Sequence, residues 1–259
     1  GIVNAPQRAV ELGCEVFQMF TRSPQGGPAP KITPEIVKQF KEEMEKWGQK
    51  DCYIHAPYYI NFASANEATR KASVRVIREE LERSSLVGAK CLMTHLGSAK
   101  DMPRDKALKM VASGVKEIMK GYKGSTQFLL EISAGAGNTI GNTFEELEFI
   151  RGGNSKIGVC LDSAHMFAGG YDVKTKDGFD ATLKNIKKTI GLKSVKVIHA
   201  NDSKIELGGR KDRHDHVGDG KIGKVGFVNL MNVFNCDFIA ETEHDKVKED
   251  INSLKNIRS

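Results

Sequence analysis

The chain has no run of about 18 apolar residues, which excludes a membrane-spanning helix of ordinary length. No apolar leader segment of the secretory type is recognisable. Cysteine is sparse. The five residues Cys14, Cys52, Cys91, Cys160 and Cys236 are odd in number, widely spaced and without a CxxC pair. That argues against both a disulfide framework and a thiolate zinc site. Four of them lie inside short apolar runs and Cys14 opens one, so buried thiols in a reducing, cytoplasmic setting are expected. No low-complexity stretch, Gly-rich linker or shift of composition divides the chain, and residues 1–259 are expected to form one domain. Neither sign of charge dominates: 39 Lys and Arg against 33 Asp and Glu leave +6. This permits a nucleic-acid or phosphate partner without requiring one. What is present is the composition of a globular protein, 39% hydrophobic and 28% charged.

Short apolar runs alternate with amphipathic stretches. The runs are Cys14–Phe20, Cys52–His55, Lys90–His95, Gln127–Ile132, Ile157–Asp162, Val195–Ala200 and Asp237–Glu241. Between them, Thr33 and Pro34 open a helical stripe that Gly48 stops. Helical patterns also cover Asn66–Val87 and Pro103–Met119, a Thr143/Glu146 capping box precedes another, and stripes run through Phe179–Ile190 and Val247–Leu254. Seven strand–helix units imply an α/β fold, a (β/α)8 TIM barrel with one strand unaccounted for; a doubly wound sheet is the competitor.

Functional side chains of a barrel project from the C-terminal ends of its strands. The runs end in His55, His95, Glu131, Asp162, His199 and Glu241, with His165 three residues after Asp162. The segment HANDSKIELGGRKDRHDHVGDGKIG (His199–Gly223) adds Asp212 and His214, and its glycines let the loop fold back over the barrel mouth. One histidine at a strand end is usually a hydrogen-bonded structural residue, and Asp162 alone reads as a helix cap. Five histidines and four carboxylates on one rim are different, because carboxylates in close range repel and cations relieve that repulsion. Histidine with carboxylate and no cysteine suits zinc, manganese or iron(II). Nine ligands exceed the needs of one ion; with one bridging carboxylate they serve three.

The segments YIHAPYYINFAS, THLGS, LLEISAGAGNTIG, CLDSAHMFAGGYD, HANDSKIELGGRKDRHDHVGDGKIG and FIAETEHD resemble, in order, the signature blocks of the endonuclease IV family of apurinic/apyrimidinic (AP) endonucleases. The resemblance covers nearly the whole chain. It implies a barrel with three Zn2+ ions, Mn2+ also fitting. One ion would take His55, His95 and Glu131, a second Glu131, Asp162, His199 and Glu241, and the third His165, Asp212 and His214. Glu131 and Glu241 are also the candidate catalytic carboxylates. The implied reaction is incision of the phosphodiester 5′ to an AP site in double-stranded DNA, leaving a 3′-hydroxyl and a 5′-deoxyribose phosphate. Arg22, Gln25, Tyr58, Tyr59, Lys204 and Arg213 are candidate DNA contacts, the tyrosines as wedges where a base is missing. A monomer is expected.

The chain departs from the family pattern in three places. It opens on Gly1-Ile2-Val3-Asn4-Ala5-Pro6, inside the turn that follows the family's first strand, so that strand is expected to be missing here. Gln25 and Gly27 stand where the family carries an arginine and a tryptophan, which predicts weaker lesion recognition. Leu96 takes a place often held by proline. The rival reading is a sugar isomerase or epimerase of the same barrel type, against which the Asp212-x-His214 pair argues. A DNA-binding or scaffold protein without activity is a further alternative, which the full set of nine ligands disfavours.

Overall fold

The computed structural model of the chain describes residues 1–258. Strands β1 (Val16–Met19), β2 (Asp51–His55), β3 (Cys91–Thr94), β4 (Gln127–Glu131), β5 (Ile157–Asp162) and β6 (Val195–His199) line up in sequence order. A short antiparallel ribbon, β7 (Asp202–Ser203) with β8 (His214–Asp215), precedes the last parallel strand, β9 (Asp237–Ile239), which pairs with β6. Helices alternate with them: α1 (Ala5–Leu12), α2 (Pro34–Lys46), α3 (Glu67–Val87), α4 (Arg104–Met119), α5 (Phe144–Arg151), α6 (Ser163–Gly169), α7 (Lys176–Lys188), α8 (Gly223–Val233) and α9 (Val247–Arg258). The result is a nearly closed TIM barrel of seven parallel strands among the described residues. β1 and β9 are its two edges and face one another across a groove of about 800 Å3.

Local chemistry explains the elements. The hydroxyls of Thr33 and Thr143 and the amide oxygen of Asn66 accept the backbone N–H three residues on, capping α2, α5 and α3. The Thr143/Glu146 box is only half made. The Glu146 carboxylate accepts from Gly141 N and binds Arg104 instead of returning to the cap. Every residue of β5 is buried, as expected of a parallel strand covered by helices.

Side chains alternate along each strand. One set packs outward against the helices, around Phe40, Ile77, Leu81, Phe128, Phe144 and Phe227. The other fills the barrel with Tyr53, Cys91, Met93, Leu129, Cys160, Val197 and Ile239, with Val16 against them. Adding two residues to Tyr53, Met93, Leu129, Cys160, Val197 and Ile239 gives His55, His95, Glu131, Asp162, His199 and Glu241. The candidate site residues are thus the next layer up on the interior face. Adding two to Val16 gives Gln18.

Candidate metal centre

The nine residues drawn from strand ends and the ligand loop converge at the barrel mouth. Glu131, only 1% exposed, is the hub. Its carboxylate lies 3.1 Å from His55 Nε2, 3.8 Å from His95 Nε2, 3.6 Å from His165 Nδ1 and 3.2 Å from His199 Nδ1. His199 Nδ1 is also 3.0 Å from Glu241. On the far side, the Asp212 carboxylate stands 3.1 Å from His165 Nε2 and 3.3 Å from His214 Nε2, and Asp162 is 3.6 Å from His214 Nε2. Asp212 and His214 therefore do point at one place, together with His165.

The backbone sets several of these side chains. His55 Nδ1 donates to Ala56 O and His165 Nδ1 to Ile132 O, because a carbonyl can only accept; each ring then presents Nε2 to the centre. Asp162 does cap α6: its Oδ1 accepts from His165 N at 2.7 Å, so the residue read as either cap or ligand fixes the helix that carries His165. The Asp202 carboxylate, fully buried at the start of the ligand loop, accepts from the backbone N–H groups of Ser203, Gly218, Ile222 and Gly223. Asp250 on α9 accepts from His216 and Val217 N and so holds the loop's far limb.

Electrostatics polarise the cluster. Burial alone would raise Glu131, but the charges of His95 and His199 and hydrogen bonds from His199 and His55 hold it well below the usual carboxylate range. Burial opposes protonation of His165 and His214, yet Asp162 and Asp212 bring them to about 10 and about 9. His95, more dominated by burial, is shifted down.

The donor set fits metal ions. His55, His95 and Glu131 form one group whose ligand atoms all lie within 4.8 Å of one another; Glu131, Asp162, His199 and Glu241 form a second, and Asp162, His165 and His214 a third. Asp212 stands beside the third group and 52% of its side chain is exposed. The Nε2 atoms of His165 and His214 are buried with no aligned hydrogen-bond partner among the described residues, so their lone pairs are free for a metal ion.

The candidate DNA contacts are scattered more widely. Tyr58, 66% exposed, stands at the rim, with the Phe20 ring edge-on to both it and His55. Tyr59 is 40% exposed and Gln25 is exposed on its loop. Lys204 is near Glu243, and the exposed Arg213 donates to Asp212 O. Arg22 departs from the expectation. It is buried and paired with Glu80 at 2.6 Å and Glu79 at 2.9 Å, and it anchors the Phe20–Pro30 segment inward. Its isolated charge in the sequence gave no sign of these partners, which come from α3. Nothing in the sequence pointed to Gln18 or Asp250, which stand away from the ends of the runs, or to Asn201 and Asp202, which sit in the quoted loop without a spacing that sets them apart.

A cavity of about 650 Å3 opens beside the centre, lined by Tyr58, Asn61, Ser98, Ser133, Thr139 and Asp212 among others. Fold and site define a xylose isomerase-like TIM barrel with a histidine–carboxylate centre at its mouth, and the family model of that description matches residues 6–257. Within that class the chain belongs to the endonuclease IV family. It is 42% identical over 235 residues to the probable endonuclease 4 of Aquifex aeolicus, covering 89% of this chain and 82% of that protein. The probable endonuclease 4 of Cenarchaeum symbiosum is 35% identical, with 100% and 95% covered. The crystal structure of endonuclease IV from Thermus thermophilus superimposes with a TM-score of 0.87 at 31% identity, covering 100% of this chain and 93% of that one. A D-tagatose 3-epimerase-like protein, at TM-score 0.70 and 20% identity, shares the fold.

Proposed function

We propose that this chain is a metal-dependent phosphodiesterase that incises double-stranded DNA 5′ to AP sites, leaving a 3′-hydroxyl and a 5′-deoxyribose phosphate. The observation that carries the reading is the Asp212/His214 pair facing His165 beside the Glu131 cluster. It extends the donor set beyond what one or two ions need. The endonuclease 4 relatives support the same conclusion.

Residues His55, His95 and Glu131 would hold one ion, Glu131, Asp162, His199 and Glu241 a second, and His165, Asp212 and His214 a third. When bound, zinc or manganese ions supply Lewis-acid chemistry: they acidify water near neutral pH and neutralise phosphate charge. The chain's own part is to fix that geometry and to grip the substrate. Glu131 and Glu241 hold the charge balance at the heart of the site. Lys204 and Arg213 offer cations to the DNA backbone, while Gln25 offers an amide. Tyr58 and Tyr59 present rings where a base is absent, and an AP site is already partly unstacked, which lowers the cost of extrusion. The cavity beside the centre has room for one sugar-phosphate unit. We take residues 1–259 to lie within one barrel domain that acts as a monomer in the cytoplasm.

The test is metal counting by mass spectrometry alongside cleavage of a duplex bearing one AP site, with and without chelator. About three zinc ions per chain and chelator-sensitive 5′ incision are expected. Glu131→Gln should abolish incision while leaving the circular dichroism spectrum unchanged. One ion and no incision would favour a sugar isomerase instead.

A further inference from the structure

We propose that Gln18 is a positioning residue whose side-chain amide fixes the ring tautomer of His199 and the pose of Glu241. Resting on the metal-centre reading above, this assigns a role on β1, a strand that supplies no ligand.

Gln18 occupies the same interior layer as the six strand-end ligands, two residues beyond Val16. Its amide nitrogen is 2.5 Å from Glu241 Oε1, and its carbonyl oxygen is 2.9 Å from His199 Nε2. A carboxylate only accepts, so the amide nitrogen faces Glu241. The oxygen then faces His199 and can itself only accept. His199 Nε2 therefore carries a hydrogen. Nδ1, the atom 3.2 Å from Glu131 and 3.0 Å from Glu241, is then the nitrogen whose proton a bound ion would replace and whose lone pair it would take. A histidine ligand needs its second nitrogen held in this way. Elsewhere in the centre a backbone carbonyl does it, at Ala56 for His55 and at Ile132 for His165. For His199 the holder is a side chain from the opposite edge of the sheet.

Glu241 is fixed from both sides. Asn201 donates to its Oε2 at 3.3 Å and accepts from its backbone N–H at 2.7 Å, while Gln18 takes Oε1. The Gln18 amide thus works in two directions at once, and no hydrocarbon of the same shape reproduces it.

The experiment uses the full chain, 15N-labelled at histidine, with zinc as the probe. The wild type is expected to hold about three zinc ions and to give a slowly exchanging Nε2–H signal for His199 with Nδ1 bound to metal. In Gln18→Leu that signal should vanish, and one ion should be lost to chelator 10- to 100-fold more readily while the others stay. Excess zinc should then restore incision. Gln18→Glu, which keeps an acceptor toward His199, should retain the Nε2–H signal. Gln18→Met, of the same length, carries the test if the leucine variant does not fold. Unchanged His199 signals and unchanged zinc retention in Gln18→Leu or Gln18→Met would overturn the proposal. A wild type that binds no zinc would instead overturn the metal-centre reading.

Discussion

Tyr58 is a large ring left in solvent, touching the rings of Phe20 and the buried His55. Such a side chain contributes little to folding, so Tyr58→Ala should leave the melting temperature nearly unchanged. Loss of one base-stacking ring costs about 1–3 kcal/mol. The affinity for an AP-site duplex should therefore fall by roughly 5- to 160-fold, read by fluorescence anisotropy at fixed salt. Equal affinity would remove Tyr58 from the interface. The thiols behave oppositely. Burial pushes Cys52 and Cys91 up to about 12 from an ordinary value of 9.0. Each resists ionising in the fold but not in the unfolded chain. Stability should be insensitive to them below pH 9 and should fall as pH rises toward 12, by about 1.4 kcal/mol per thiol for each unit. Urea midpoints measured between pH 8 and 11 check this, and Cys91→Ala should make the decline shallower.

At the scale of elements, the ligand loop depends on a close approach. A Cβ at Gly220 would sit 2.5 Å from Asp202 Oδ1 and 2.7 Å from Ser203 O, against a carboxylate that gathers four backbone N–H groups. Gly220→Ala should cost about 1–3 kcal/mol in urea unfolding and weaken zinc binding by Asp212 and His214; an unperturbed variant would mean the loop has another anchor. This loop also marks how far the sequence could be read. β5 and the capped helices α2 and α3 were legible to within a residue or two, since periodicity and cap chemistry are local signals. The layer of histidines and carboxylates at the mouth was legible because strand ends are punctuated by polar residues. Other elements were not. α6 follows β5 without any break in the pattern, α1 and α8 lack side-chain caps, and the β7–β8 ribbon is two residues per strand. Gln18 was hidden because the run Cys14–Phe20 continues past the strand's end at Met19. Arg22 was misjudged because its partners Glu79 and Glu80 are distant in sequence.

For the molecule as a whole, the edge at β1 and β9 matters more than any single contact. Parallel strands β2 to β6 have a neighbour on both sides, while β1 and β9 each have one. At the mouth, a hydrogen bond from Gln18 to Glu241 crosses the gap. Opening free energies within a fold are uneven, and a strand with one neighbour is among the first to exchange its amide hydrogens with water. Amides of Phe17 to Met19 should exchange well before those of β4 and β5 in the metal-free chain, and zinc should slow them more than it slows the barrel's far wall. Uniform slowing, followed by mass spectrometry, would count against this. A ring with two loose ends is fastened at its mouth by Gln18 and Glu241 and at its other end by Arg258 to Glu15 and Lys255 to Gly13 O, so the exchange clock of β1, which offers no candidate ligand, would report whether ions occupy the mouth.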